Sequence, residues 1–313
     1  MTMERISITK DVSLSEITLG ACNPDLESTN TVMEKYLQHG GSSFDTGRAY
    51  FDGAYDVFLG QWIRSRNLRN QVQICMKGCL PANPDKMYIS RLGKADIKGD
   101  LEASLIGAGL DYTDIYLLHR DDVTLPVEEM VIAMNELLQE GKTRTIGVSN
   151  WTGARIAQAN AFAKENNLTP FAVSQVHFGL GDTTSAATGD ITHVPMNDVE
   201  YNWYLSNDFP VMAFSSQAKG FFGRMETNTE LNKQQKAYYS FFPRNYERGK
   251  RAIELGRKYK VSASAIALAY VLAQTLKTSA MVGFTSVAQF DESIKALEVQ
   301  LSKEEINYLE SGI

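Results

Sequence analysis

Asp45, Tyr50, Lys77 and His119 are the residues of this chain whose types could together move a proton at a reacting centre. A phenol with its ordinary pKa of about 10 holds its proton too tightly to release it well at neutral pH. A neighbouring ammonium lowers the cost of that release. A carboxylate hydrogen-bonded to the ammonium keeps it charged and aimed. Tyr50, Lys77 and Asp45 have the side chains for such a set, which suits protonation of a developing oxyanion. Taken singly, each has an ordinary explanation. Asp45 before Thr46 could cap a helix, Lys77 could extend to solvent, His119 could be a hydrogen-bonded core imidazole, and Tyr50 could only pack. Their weight depends on whether the fold brings them together.

Short β-branched runs alternate with longer amphipathic stretches, the pattern of parallel strands joined by crossover helices. A hairpin is expected around Ile6 to Leu14, followed by eight strand and helix pairs. The strands are placed at Glu16 to Gly20, Ser42 to Asp45, Val72 to Lys77, Asp114 to Leu118, Arg144 to Val148, Ala172 to Val176, Pro210 to Phe214 and Ser279 to Val282. The helices between them are expected over Asp25 to Gln38, Gly53 to Arg64, Ile89 to Gly107, Val127 to Gln139, Thr152 to Glu165 and Asn197 to Leu205. A long loop from Ser216 to Asn245 follows the seventh strand, then helices over Tyr246 to Tyr259 and Ala263 to Leu276. The last strand feeds a helix over Val287 to Leu297. Eight such units close a parallel (β/α)8 TIM barrel, an α/β fold, and no unit carries the G-x-G-x-x-G turn of an open dinucleotide-binding sheet. The whole chain, 1–313, is expected to be a single barrel domain.

Sites in such barrels are built at the C-terminal ends of the strands. Asp45 ends the second strand, Lys77 the third, His119 the fourth, Ser149 and Asn150 the fifth, Gln175 the sixth, and Phe214 with Ser215 the seventh. One barrel mouth therefore gathers the whole set.

The same segments carry a family resemblance. Phe44 to Tyr50 (FDTGRAY), Tyr116 to Arg120 (YLLHR), Gly141 to Trp151 (GKTRTIGVSNW), Met212 to Ser215 (MAFS) and Val282 to Ser293 (VGFTSVAQFDES) resemble, in order, motifs of the aldo-keto reductases. The resemblance runs from about Gly20 to Leu297. It implies an NADP(H)-dependent oxidoreductase with Tyr50 as general acid, Lys77 and Asp45 as its tuning pair, and His119 orienting the substrate carbonyl. Ser149, Asn150 and Gln175 would hold the nicotinamide carboxamide, Phe214 would stack beneath the ring, and Gly20, Ala21 and Cys22 would line its side, with Cys22 standing where a bulkier residue is common. Ser215 and Gln217 would contact phosphates beneath the Ser216 to Asn245 loop, which is expected to act as a lid. Gly283, Thr285 and Ser286 with Gln289 would receive the far end of the cofactor, with Glu292 meeting the adenine. Some relatives carry a Lys-Ser pair and an Arg there. Here the basic partner of the 2′-phosphate is expected from Lys219, Arg224 or Arg244, and NADPH is favoured over NADH. Asn23, Phe51, Arg120, Trp151 and the insert between Gly179 and Pro195 are expected to shape the pocket for a small carbonyl or alcohol substrate.

Other readings are narrower. Potassium-channel β subunits share the fold as cofactor-binding regulatory modules, yet lack the strand-four histidine present here as His119. A barrel lyase using Lys77 as a Schiff base needs a lysine with lowered pKa, which Asp45 opposes. The net charge of −6 comes without clustered Lys or Arg, so neither a nucleic-acid nor an anionic-membrane partner is expected. The three cysteines, Cys22, Cys75 and Cys79, fit free thiols in a reducing compartment, and no metal site is expected. The N-terminal residues Met1 to Ile6 include no signal-length apolar run, and the expected location is cytoplasmic.

Overall fold

The computed structural model describes residues 3–23, 27–80 and 89–313. An antiparallel hairpin, β1 (Arg5–Ser7) with β2 (Ser13–Ser15), opens the chain in the register Ile6 opposite Leu14. Eight parallel strands follow: β3 (Ile17–Leu19), β4 (Ser43–Asp45), β5 (Gln73–Gly78), β6 (Thr113–Leu118), β7 (Thr143–Ser149), β8 (Ser174–His177), β9 (Val211–Phe214) and β10 (Thr278–Val282). They close in chain order, with β10 pairing back onto β3. The fold is a (β/α)8 barrel.

Side chains alternate across each strand, so every second residue faces the barrel axis. Cys75, Ile115, Leu117, Val173, Met212 and Met281 form one apolar cluster inside the barrel, and Val12 and Leu14 of the hairpin segment join it. Residues of the other parity, Ile74, Met76, Tyr116 and Leu118, pack outward against the helices. Two residues beyond the inward layer lie Lys77, His119, Gln175 and Phe214, on the same parity and at the C-terminal ends. A single alternation rule thus gives both the apolar floor and the polar mouth.

Most helices fall near their expected places, and the differences have local causes. The helix expected from Ile89 begins at Lys94, after Gly93 in an extended conformation. The helix expected to reach Leu276 stops at Leu272. The last barrel helix is α-helical only over Val287–Ser293 and tightens into a 3-10 turn over Ile294–Glu298. A further helix, Lys303–Ser311, starts at a reciprocal cap between Ser302 and Glu305. Of the helix expected from Asp25, the described part is Glu27–Gln38; residues 24–26 lie outside the described residues.

The connection after β9 is long but not structureless. It carries helices Phe221–Glu226 and Lys233–Tyr239, the second capped reciprocally by Asn232 and Gln235. Their inward faces bury Phe221, Phe222 and Tyr239. Aromatic residues expected on a loop are therefore part of the main apolar core outside the barrel. No helix among the described residues is long and apolar enough to cross a membrane.

Candidate active site

Asp45 and Lys77 sit at the ends of adjacent strands and are fully buried. The Lys77 ammonium donates to both carboxylate oxygens of Asp45, at 2.6 and 2.5 Å. Gln175 Nε2 donates a third bond to Asp45 Oδ1 at 2.9 Å. Burial alone would pull Lys77 toward neutrality, but the Asp45 charge and hydrogen bonds outweigh it and hold its pKa above the ordinary value. The ammonium stays charged.

Tyr50 reaches this pair through a tight segment folded onto β5. Thr46 N–H donates to the Cys75 carbonyl and Arg48 N–H to the Lys77 carbonyl, each at 2.8 Å. Behind it, buried Asp56 accepts from Thr46 Oγ1 at 2.6 Å and from Ser104 Oγ at 2.7 Å, tying the segment to two helices. The turn closes at Gly53 with φ +84°, a left-handed conformation that favours glycine. The Lys77 ammonium lies 4.9 Å from the centre of the half-buried Tyr50 ring. Burial pushes the Tyr50 hydroxyl up, the charge and hydrogen bond of Lys77 pull it down, and the Asp45 charge adds to the rise. The net direction is upward. Sequence alone suggested a lowered value; burial overrides the cation because the carboxylate beside it cancels much of its field.

His119 meets Tyr50 edge to face, with ring centres 5.6 Å apart. Burial, followed by the charges of Arg120 and Lys77, keeps this imidazole well below its ordinary pKa, hence neutral. Its Nδ1 is buried and has no hydrogen-bond partner among the described residues. A polar atom left unpaired in such a place is costly unless something else meets it.

Tyr50 and His119 open onto a cavity of about 270 Å³, walled further by Leu80, Arg120, Ser149, Asn150, Gln175, Thr188, Asp190, His193, Phe214, Ser215, Lys219, Tyr238 and Met281. Nine sequence-expected residues, counting Tyr50 and His119, are thus gathered at one surface, with Asp45 and Lys77 directly beneath. Ser149 Oγ accepts from Asn150 Nδ2 at 2.9 Å and has its own proton left to give. Gln175 spends its amide on Asp45, leaving its carbonyl oxygen with no donor among the described residues. Asn150 is committed within the protein, to the His119 carbonyl at 3.4 Å and the Val194 N–H at 3.4 Å. Lys219 stands at the exposed rim with no ion-pair partner among the described residues and its ammonium 5.5 Å from the Tyr238 ring centre.

Other expected residues lie elsewhere. Trp151 is fully buried, packs on Phe171 and donates its indole N–H to the Arg120 carbonyl at 3.3 Å, so it supports the pocket from behind. Cys22 is buried too; its thiol bonds the Gly20 carbonyl and accepts from Phe284 N–H, stitching the turn of Gly20 and Ala21 to that of Gly283 rather than widening a pocket. Phe51 is half exposed, with φ +52°, and does not line the cavity. Asn23 accepts from Thr29 Oγ1 through its carbonyl and likewise lies off the cavity wall. Gln217 bridges the Ser264 carbonyl and Ser293 Oγ. Gln289 Oε1 accepts from both the N–H and the hydroxyl of Thr285, and Glu292 is held by Ser262 N–H and Lys295. Each of these residues has its own partners within the protein, and none lines the cavity. Arg244 pairs with Asp182 and Arg224 bonds the Glu230 carbonyl, which leaves Lys219 as the basic residue at the mouth among the three expected.

The insert supplies residues that the strand-end argument missed. Asp190 pairs with Arg120 at 2.9 Å, and His193 packs 5.4 Å from both Phe214 and His177. His177 continues the inward parity of Gln175 by one step, a signal the strand pattern already held. Among the described residues no group of three or more His, Cys, Asp or Glu is placed to hold a metal.

A family model described as the aldo/keto reductase family matches residues 16–313. A norsolorinic acid reductase of Emericella nidulans is 26% identical over 295 residues, covering 92% of this chain and 72% of that protein. A probable aldo-keto reductase of Glycine max is 27% identical over 300 residues, covering 92% and 80%. An aryl-alcohol dehydrogenase of Pestalotiopsis microspora is 22% identical, covering 94% and 74%.

Proposed function

The chain belongs to the aldo/keto reductase family, which makes it an oxidoreductase acting on carbonyl compounds, and from that premise we propose that it is NADP(H)-dependent and that Tyr50 is its general acid. One observation carries this reading: a buried, doubly bonded Lys77 ammonium placed against the Tyr50 ring, with the unpaired His119 edge beside it.

The residues present fit a nicotinamide. Ser149 has a proton to donate and Gln175 a carbonyl to accept with, the two functions a carboxamide needs, and Phe214 offers a flat apolar wall. A bound reduced nicotinamide supplies the hydride. Tyr50 then gives its proton to the carbonyl oxygen as negative charge builds there. Lys77 stabilises the phenolate left behind, and Asp45 keeps Lys77 charged without letting it approach the substrate as a nucleophile. His119, neutral and short of a partner, orients the carbonyl oxygen and shares its developing charge. Because the phenol is held above its ordinary pKa, it remains protonated through the neutral range and is always loaded for reduction. Lys219, with no acidic partner, favours the more highly charged dinucleotide.

The test is oxidation of NADPH, and in parallel NADH, by a panel of aldehydes and ketones, for the native protein and Tyr50→Phe. Multiple turnovers with NADPH in preference are expected, with a loss of about 10²–10⁴-fold in the variant while cofactor fluorescence still reports binding. Turnover within threefold of native in Tyr50→Phe would remove the phenol from the mechanism.

A further inference from the structure

Two lysines stand at the cavity, and they differ in what holds the ammonium. Lys77, beneath the floor, is locked against both oxygens of Asp45. Lys219 lines the cavity itself, together with Tyr50 and His119, and has no ion-pair partner among the described residues. Asp190, the acid of the same wall, is already engaged. Its Oδ2 accepts twice from Arg120, and its Oδ1 accepts from the N–H and the hydroxyl of Thr192.

The chain fixes where Lys219 stands. Its backbone takes φ +52°, between Ala218 and Gly220, which are also left-handed, and its carbonyl accepts from the buried Gln235 side chain at 2.7 Å. Gln235 is itself held by the reciprocal cap with Asn232. From that base the ammonium reaches a point 5.5 Å from the centre of the Tyr238 ring. The other charged or titratable groups of this corner are Arg120, paired with Asp190, and the neutral imidazoles of His177 and His193. Although the residue is exposed at the rim, the wall around its ammonium displaces water and lowers its pKa from the ordinary value. A lysine with no anion beside it and less water around it spends more time as the free amine, which is a nucleophile.

We propose that Lys219 is a site of covalent modification by aldehydes, which condense with its amine to an imine when they enter the cavity in the absence of the cofactor. The neutral Nζ attacks the carbonyl carbon, and the π pair of the C=O bond moves to oxygen. One proton passes from nitrogen to that oxygen, giving a carbinolamine. The hydroxyl then leaves with the second N–H proton as water, and the C=N bond forms. No oxidant or reductant takes part. This rests on the cavity admitting carbonyl compounds, as in the function above, but it consumes no hydride and closes the cavity instead of turning over. A phosphate paired with Lys219 would keep the amine protonated, so a bound dinucleotide protects it.

Lys164, Lys233, Lys260 and Lys303 likewise have no ion-pair partner among the described residues, and all are exposed and away from this cavity. They carry the same amine without the pocket, and so serve as controls within one molecule. The protein, freed of dinucleotide, is incubated at pH 7 with propanal and cyanoborohydride, which reduces each imine to a stable propylamine. Alkylation of each lysine is followed by peptide mass mapping. Lys219 should react about fivefold faster or more than the four controls. NADP+ in excess should slow Lys219 by about threefold or more and leave the controls unchanged. After treatment, NADPH binding read by cofactor fluorescence should fall in the native protein. In Lys219→Arg, which keeps the charge and forms no imine, treatment should leave binding as it was.

A rate at Lys219 within about twofold of the controls, or an equal loss of binding on treatment of Lys219→Arg, would overturn the assignment. Fast alkylation that NADP+ does not slow would sustain the imine and count against Lys219 as the phosphate partner in the proposed function. Since no turnover is read, fast alkylation of Lys219 in a protein that reduces no carbonyl would refute that function and leave this modification standing.

Discussion

The two sides of the barrel mouth bury titratable groups by opposite means. On the side of β4 and β5, the charge is kept: Lys77 and Asp45 are both sealed from solvent and survive ionised because each oxygen of the carboxylate meets the ammonium. On the side of β8 and β9, the charge is dropped. His177 and His193 have no carboxylate in hydrogen-bond contact, and burial brings them to about 3 and about 4, so both are neutral. His177 Nε2 meets the Tyr239 hydroxyl at 3.0 Å, a bond that a neutral ring can make. The first side is built to hold a field, the second to hold hydrogen-bonding shapes. Positive φ flanks both sides: Phe51, Asp52, Gly53 and Cys79 beside the charged one, and Ser215, Ala218, Lys219 and Gly220 beside the neutral one. Such strain persists where tertiary contacts fix the local chain, and it is common around binding sites.

That contrast is open to attack from either side. The largest effect is expected from breaking the charged side. Asp45→Asn leaves Lys77 buried with its charge uncompensated, and the unfolding free energy should fall by about 3–5 kcal/mol in denaturant titrations at pH 7. A fall under 1 kcal/mol would mean that the pair is far better solvated than its burial implies. A smaller effect is expected from the neutral side through pH. The folded-state pKa values of His177 and His193 lie below the unfolded value of about 6.5, so between that value and about 4 the unfolded chain binds more protons and stability falls as pH falls. Going from pH 7 to pH 5 should cost about 2 kcal/mol for each imidazole. Replacing both with Gln should flatten that part of the curve; a curve equally steep in the double variant would show that the imidazoles are not its source.

Much of the mouth was legible in the sequence because a strand's period of two is rigid. Once the strand ends were placed, Asp45, Lys77, His119, Gln175 and Phe214 had to face the axis; His119, Gln175 and Phe214 line the cavity, and Asp45 and Lys77 are buried beneath it. Side chains whose direction depends on packing away from the strands were not legible. Trp151 follows the fifth barrel strand within a few residues yet turns under Arg120, and Cys22 turns toward Phe284. The sign of the Tyr50 shift was missed for a related reason: the sequence shows that a cation is near, but not how much water is lost or how fully a carboxylate offsets it. The segment after β9 lacked an amphipathic period long enough to read, although Asn232 three residues before Gln235 was a usable cap signal. His193 and Asp190 lie in an insert whose polar composition gives no period at all, and only the closed barrel brings them to Phe214 and Arg120.

The central claim is that the Lys77 ammonium makes the Tyr50 proton transferable. Its most direct test is kcat for carbonyl reduction at saturating NADPH across pH 6 to 10, for the native protein and for Lys77→Met, which keeps length and loses charge. The expected native profile is flat through the neutral range, since burial keeps Tyr50 protonated, and the variant should lie about 10²-fold or more below it at each pH. A variant within threefold of native, or a native profile that already falls below pH 8, would contradict a buried phenol serving as the proton donor with Lys77 as its partner.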